Sequence, residues 1–133
     1  MVRSHLDYCC PVWSPYRKGD IEALEKVQKR ATKMIPALKN LPYKDCLKAC
    51  NISTLHYRQL SGDMIETYNI PSGKYDTNVV PNLTTTGIQA TRGNDLRIFK
   101  THFKYDLRKF YFTNRVVDVW NSLPNWIVMA KLC

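Results

Sequence analysis

The feature that most constrains the fold is the segment "DIEALEKVQKRATKMI" at residues 20–35, whose apolar residues recur at helical spacing. Residues spaced three and four apart lie on one face of a helix. We therefore expect a long helix with a buried stripe, Asp20 as its N-cap and Pro36 as its end. The predicted stripe consists of Ile21, Leu24, Val27, Ala31 and Ile35.

Two segments on either side also indicate helices. Residues 1–10 resemble the end of a helix, which Pro11 is expected to stop or kink. Residues 43–49 follow Leu41-Pro42, a favourable entry to a short helix.

A further helix is predicted over residues 54–68, with Ser53 as its cap. Its expected apolar side consists of Tyr57, Leu60, Met64 and Tyr68.

The second half of the chain is less regular. Residues 71–95 are rich in Thr, Asn, Gly and Pro and predict a loop or linker. Leu96, Ile98 and the aromatics at 110–112 are expected to be strand-like or irregular. Residues 113–122 predict a helix that buries Val116, Val117 and Trp120 and ends at Pro124.

These segments predict a mainly α fold. We expect a small helical bundle in residues 1–70, a long loop in 71–95, and a mixed, mostly helical, basic and aromatic C-terminal extension in 96–133. The length of 133 residues suits a single domain with a real core.

The net charge of +9 favours polyanionic partners such as nucleic acid or anionic lipid. The excess is spread along the chain, at +4 in residues 1–70 and +5 in residues 71–133. We expect no membrane span, because no apolar run reaches about 18–20 residues. With no signal peptide visible, the expected location is intracellular, in the nucleus or the cytoplasm.

Several chemistries find no support in the sequence, so we expect no catalytic residue, metal, cofactor or small-molecule substrate. The five cysteines are an odd number, which argues against a disulfide framework. No Walker or dinucleotide motif occurs, and no two acidic residues are adjacent. Cys46, Cys50 and His56 leave a zinc site as an alternative, although their spacing is unorthodox and Cys46 and Cys50 suit a helical core.

Two basic clusters are the candidate nucleic-acid contacts. The first comprises Lys26, Lys29, Arg30 and Lys33 on the long helix, which is either a solvated face or a phosphate-contacting face. In the second, cations are interleaved with aromatics, a combination that suits single-stranded nucleic acid unless the aromatics form the core. Its members are Arg97, Lys100, Phe103, Lys104, Tyr105, Arg108 and Lys109, with Phe103 and Tyr105 as candidate stacking platforms.

An ordered set of four segments resembles the C-terminal part of LINE-type, jockey-like non-LTR retrotransposon reverse transcriptases. These are "VRSHLDYCCPVWSPY", "DIEALEKVQKRATKMIPALKNLPY", "GDMIETYNI" and "DLRKFYFTNRVVDVWNSLP". The resemblance runs from Val2 to Pro124 and implies the end of the helical thumb followed by a basic extension. It places Tyr8, Pro11, Val12 and Trp13 at packing positions.

The resemblance implies a part of an RNA-directed DNA polymerase that is not itself an enzyme, since the palm aspartates and the endonuclease are missing. The expected function is sequence-tolerant binding of RNA, or of a primer–template or DNA duplex, with the rest of a reverse transcriptase as a further partner. The chain departs from the family after Pro124, so we expect a truncated copy. It also keeps only Arg58 of a usual arginine pair, which argues against a backbone-binding role for that helix. The alternative is a protein-docking module that does not bind nucleic acid.

Overall fold

The computed structural model describes residues 2–86 and 94–130. Helices take 57% of the residues and no sheet forms in this part of the chain, which confirms the mainly α prediction. The chain divides into two compact units, Met1–Gly62 and Asp63–Cys133, and the division falls within a helix. The predicted loop at residues 71–95 is described up to residue 86 and from residue 94, and its described part contains no helix.

The first unit begins with two short helices, α1 (Val2–Asp7) and α2 (Cys10–Trp13). The break between them lies at Cys9, which adopts a left-handed conformation with φ of 51°. Pro11 was predicted to stop the first helix, but it lies in the first turn of α2. Proline fits there because first-turn N–H groups need no helical acceptor.

The central helix of the first unit, α3 (Lys18–Lys33), begins at Lys18, before the predicted N-cap Asp20. Asp20 therefore lies in its first turn instead of capping it, where its charge still suits the positive end of the helix dipole. The helix ends before Pro36, which opens a 3₁₀ turn at Pro36–Leu38.

The predicted stripe on α3 is partly wrong. Val27 and Ile35 are exposed, whereas Gln28 and Thr32 are buried. Gln28 donates hydrogen bonds to the Tyr43 hydroxyl and to the Ser53 carbonyl, and Thr32 donates to the Lys29 carbonyl. These hydrogen bonds pair the Gln28 amide nitrogen and the Thr32 hydroxyl, whereas the buried Gln28 Oε1 has no hydrogen-bond partner in the described part of the chain.

Helix α4 (Tyr43–Ala49) has its predicted bounds, and α5 runs from Leu55 to Asn69. The cap of α5 is Thr54, not Ser53, because the Thr54 hydroxyl accepts a hydrogen bond from the Tyr57 N–H at 3.3 Å. The predicted apolar side of α5 is also wrong in its first half, where Tyr57 and Leu60 are exposed. The buried residues of α5 are mostly polar: Leu55, Gln59, Asp63, Thr67 and Asn69.

The second unit contains α6 (Asp106–Lys109), α7 (Phe112–Ser122) and α8 (Asn125–Val128). Val116, Val117 and Trp120 on α7 are buried as predicted. The core cluster consists of Ile98, Val117, Trp120 and Val128, and Met64 and Tyr68 from the end of α5 pack against it. Helices α6 and α8 were not predicted.

The irregular chain of the second unit makes one antiparallel bridge, between Thr85 and Ile98. Leu96 and Ile98 were predicted to be strand-like or irregular, and they lie in irregular chain with this single bridge at Ile98. At residues 110–112 the prediction of strand-like or irregular chain holds for Phe110 and Tyr111, which lie between α6 and α7, and is wrong for Phe112, which begins α7. The buried Phe112 explains this, because in α7 its ring lies on the same inward-facing side as Val116.

Candidate nucleic-acid interface

The four basic residues of α3 form one surface, which we call the helix surface: Lys26, Lys29, Arg30 and Lys33. All four side chains are exposed. At 3.6 residues per turn they fall within a sector of about 100° around the helix axis. No acidic residue lies between Lys26 and Lys33, although the exposed Glu22 lies one turn earlier on the same side.

A polar network on the buried side of α3 fixes the orientation of the helix surface. The Glu25 carboxylate accepts a hydrogen bond from the Leu55 N–H at the start of α5, at 3.1 Å, and one from the Tyr43 hydroxyl. Gln28 joins it through the same Tyr43 hydroxyl at 3.1 Å. Helices α3, α4 and α5 are thereby linked within the first unit, while the four cations of α3 stay exposed.

The second candidate set, which we call the tail surface, lies in the second unit: Arg97, Lys100, Phe103, Lys104, Tyr105, Arg108 and Lys109. Lys104 and Tyr105 are exposed, and Tyr105 is 78% exposed. Tyr105 is the residue that precedes α6, where the extended backbone turns into the helix.

Two cations of the tail surface lie over aromatic rings of their own chain. The Arg108 guanidinium is 5.9 Å from the centre of the half-buried Phe103 ring, and Lys109 Nζ is 5.4 Å from that of Phe110. Such contacts hold a cation by the negative face of the ring. The Phe103 ring therefore already has a partner, whereas Arg108 and Lys109 are themselves exposed.

Arg97 and Lys100 differ from the other cations of the tail surface, because the first is half-buried and the second forms an ion pair. Arg97 is half-buried, and its Nε has no hydrogen-bond partner in the described part of the chain. Lys100 pairs with Asp118 of α7 through Nζ and Oδ2 at 2.5 Å, in an exposed position. We therefore regard Lys104, Tyr105, Arg108 and Lys109 as the accessible part of the tail surface.

Polar side chains of α7 form hydrogen bonds with the backbone of residues 96–109 and hold it in place. The sequence predicts none of these hydrogen bonds. The Trp120 indole N–H donates to the Leu96 carbonyl at 2.8 Å. The Asn121 amide accepts from the Ile98 N–H and donates to the Ile98 carbonyl, both at 3.0 Å. Asn114 donates to the Lys109 carbonyl at 3.2 Å. Helical spacing carries no sign of these partners, because they lie in irregular chain or at the end of the short helix α6.

Two exposed aromatics of the same region were also missed as site residues. Phe99 and Tyr111 are each 58% exposed. Tyr111 precedes α7 and follows the cations Arg108 and Lys109, so it lies just beyond the end of α6. The aromatics of the segment are therefore divided: Phe112 is buried, Phe103 and Phe110 are half-buried, and Phe99, Tyr105 and Tyr111 are exposed.

The segment "HLDYCCPVWSPY" does not pack as the resemblance implied. Tyr8 and Val12 are 76% and 77% exposed, and Cys10 is the buried residue. The left-handed Cys9 separates the two short helices, and the Cys10 thiol contacts the Leu6 and Asp7 carbonyls at 3.2 and 3.1 Å. Arg58, the remaining arginine of the usual pair, pairs with Asp7 at 3.4 Å.

The zinc alternative gains no support from the geometry. Cys46 is fully buried and its thiol contacts the Leu38 carbonyl at 3.4 Å, as expected of a core cysteine, whereas His56 is exposed. Within residues 2–86 and 94–130, no three His, Cys, Asp or Glu side chains are grouped so that they could hold a metal ion. Cys9, Cys46 and Cys50 are free thiols.

None of the described helices is both long enough and apolar enough to span a membrane. Comparison of the chain with known protein families, with characterised proteins and with solved structures found no match.

Proposed function

We propose that this chain is a non-catalytic C-terminal part of a LINE-type reverse transcriptase, and that it binds RNA or a nucleic-acid duplex with little regard to sequence. The observation that carries the binding proposal is the helix surface, where four exposed cations share one side of α3. A row of cations with no acid among them suits a phosphate backbone.

The ordered sequence segments support the assignment to a reverse transcriptase. They follow one another at the family's order and spacing over most of the chain. The mainly helical first unit is compatible with a thumb, and the basic second unit with an extension beyond it. In this role the rest of a reverse transcriptase would supply the polymerase chemistry.

The proposal is tested by fluorescence anisotropy of a labelled single-stranded RNA and of a DNA duplex, at several salt concentrations. We expect binding to both, with a logarithmic affinity that falls linearly with the logarithm of salt. Neutralising the helix surface with Lys26→Gln, Lys29→Gln, Arg30→Gln and Lys33→Gln should flatten that slope by about 0.9 for each phosphate of duplex DNA that the variant no longer neutralises.

A matched control removes the same number of charges elsewhere. Lys18, Lys39, Lys44 and Lys74 are exposed and lie outside both surfaces. Their fourfold replacement by Gln lowers the net charge equally, so it reports the effect of overall charge alone. Equal losses of affinity in the two variants would contradict a specific role for the helix surface.

The second candidate function is a protein-docking module. It is favoured by the exposure of Tyr8 and Val12, which lie in the segment that the resemblance places in packed positions. Under this alternative the Tyr8→Ser and Val12→Ser variants would lose self-association or binding to a polymerase partner. Sedimentation velocity, with nucleic-acid binding measured in parallel, distinguishes the two functions.

A further inference from the structure

We infer that the tail surface binds nucleic acid whose bases are unpaired, and that Tyr105 and Tyr111 are its stacking rings. The inference rests on the proposed function and goes beyond it by assigning a strand type to this surface. It also replaces Phe103, a candidate platform from the sequence, with Tyr111.

The first step is the exposure of the rings. Tyr105 is 78% exposed and Tyr111 is 58% exposed, so each presents a large part of its ring to solvent. Phe103, in contrast, is half-buried and lies under the Arg108 guanidinium. An incoming base would have to displace that cation before it could stack on this face of Phe103.

The second step is the position of the two tyrosines along the chain. Tyr105 immediately precedes α6, and Tyr111 lies one residue beyond its C-cap, Phe110. The two rings therefore bracket a single short helix, Asp106–Lys109. The backbone holds this arrangement, because Lys109 N–H donates to the Tyr105 carbonyl at 3.1 Å and Tyr111 N–H to the Arg108 carbonyl at 3.4 Å.

The third step is the charge around the rings. Lys104 precedes Tyr105, and Arg108 and Lys109 lie between the two tyrosines, all three of them exposed. The acidic residue of this stretch is Asp106. Exposed rings among cations can engage bases and phosphates together, which is the chemistry of single-strand binding surfaces.

The preference of the tail surface for unpaired bases follows from the groups that each kind of nucleic acid exposes. A duplex hides the faces of its bases within the stack and presents phosphates, so exposed tyrosines gain nothing from it. A strand with unpaired bases offers both phosphates and ring faces. The helix surface has no aromatic residue between Lys26 and Lys33, so it should contact backbones regardless of strand type.

The test compares three probes of equal length: a single-stranded RNA, a DNA duplex, and an abasic strand that has phosphates but no bases. The double variant Tyr105→Ala/Tyr111→Ala should weaken binding of the single-stranded RNA by roughly 5- to 150-fold for each ring that stacks. Its binding of the duplex and of the abasic strand should stay as in the unchanged protein. Tyr105→Phe/Tyr111→Phe keeps both rings and should bind all three probes normally.

Trp126→Ala is the matched control, since Trp126 is 74% exposed and has no basic residue within four positions in the sequence. It should leave the binding of all three probes unchanged. If it weakens single-strand binding as much as the tyrosine variant does, the assignment to Tyr105 and Tyr111 is wrong.

The remaining outcomes separate this inference from the proposed function. If the unchanged protein binds RNA and duplex but the tyrosine variant binds both normally, the inference fails and the proposed function stands. If the folded protein binds no probe, both fail. If vesicles with anionic lipid bind through Tyr105 and Tyr111 whereas the single-stranded RNA does not, the surface belongs to a membrane and the inference is overturned.

Discussion

Arg115 holds Asp63 through two hydrogen bonds, from Nε to Oδ2 at 3.0 Å and from Nη2 to Oδ1 at 2.9 Å, across 52 residues of sequence. The Arg115 and Asp63 side chains are only 17% and 7% exposed. The pair joins α7 to the part of α5 that belongs to the second unit. It also explains how a carboxylate can occupy the buried side of a helix.

Breaking this pair should destabilise the second unit strongly. Removing one partner of a buried ion pair leaves the other charge buried without compensation, which costs about 3–5 kcal/mol. We expect Asp63→Asn and Arg115→Met each to lower the free energy of unfolding by about 3 kcal/mol. Urea denaturation followed by circular dichroism measures the change.

The exposed pair Lys100–Asp118 is the control for this prediction, because its side chains are 45% and 68% exposed. Exposed pairs contribute about 1 kcal/mol or less, so Lys100→Met should have a small effect. Similar losses of stability for Lys100→Met and Arg115→Met would contradict the role given to the Arg115–Asp63 pair.

The sequence predicts those elements whose packing depends on apolar residues alone. Helix α7 was placed to within one residue at its start, because Val116, Val117 and Trp120 all lie on its buried side. The faces of α3 and α5 could not be predicted in the same way. Gln28 and Asp63 are buried beside hydrogen-bond partners that are distant in sequence, Tyr43 and Arg115.

Of the candidate site, the sequence predicts the helix surface but not which rings of the tail surface are exposed. The spacing of Lys26, Lys29, Arg30 and Lys33 was enough to place them on one side of a helix, and all four are exposed. In the tail, alternating cations and rings could not show which rings would be covered. That depends on α6, a single turn too short to leave a periodic signal.

Asn121 should support the chain at Ile98, the residue that forms the bridge to Thr85. Its amide forms both a donor and an acceptor bond with the backbone of buried Ile98. Asn121→Ala leaves these buried backbone groups unpaired, at about 1–3 kcal/mol for each unsatisfied group. We expect faster amide exchange at Ile98 and lower stability, whereas Ser122→Ala, at an exposed neighbouring position, should change neither.

Glu25 should support the start of α5 alongside the Thr54 cap, because it accepts the N–H of Leu55, the first residue of the helix. Replacing it with alanine removes the acceptor of the Leu55 N–H and the partner of the Tyr43 hydroxyl. Loss of a side-chain acceptor for a first-turn N–H should cost about as much as loss of a helix cap, about 0.5–2 kcal/mol. Hydrogen exchange at Leu55 should therefore accelerate in Glu25→Ala, while Glu22→Ala, an exposed glutamate on the same helix, should leave it unchanged.

Tyr75 should titrate above the ordinary range of tyrosine. Its hydroxyl donates a hydrogen bond to Glu66 Oε2 at 2.7 Å, and this bond, together with burial and the Glu66 charge, raises the pKa of Tyr75. Because the pKa of Tyr75 is higher in the folded state, its interaction with Glu66 contributes to stability below the unfolded pKa of about 10. This contribution is lost as the pH rises through the folded pKa.

Spectrophotometric titration of the phenols, compared between the unchanged protein and Tyr75→Phe, isolates the Tyr75 transition. We expect its midpoint to lie above that of an unperturbed tyrosine, and Glu66→Gln to lower it. A midpoint that Glu66→Gln does not move would show that the hydrogen bond is not the cause.

The central claim is tested most directly by the salt dependence of RNA and duplex binding between about 50 and 200 mM salt. It compares the unchanged protein with the helix-surface variant and with the Lys18, Lys39, Lys44 and Lys74 control, all with unchanged circular dichroism. We predict that only the helix-surface variant has a much flatter salt slope and weaker binding to both probes. Binding that is absent in the folded protein, or that both variants weaken equally, would contradict a nucleic-acid interface on α3.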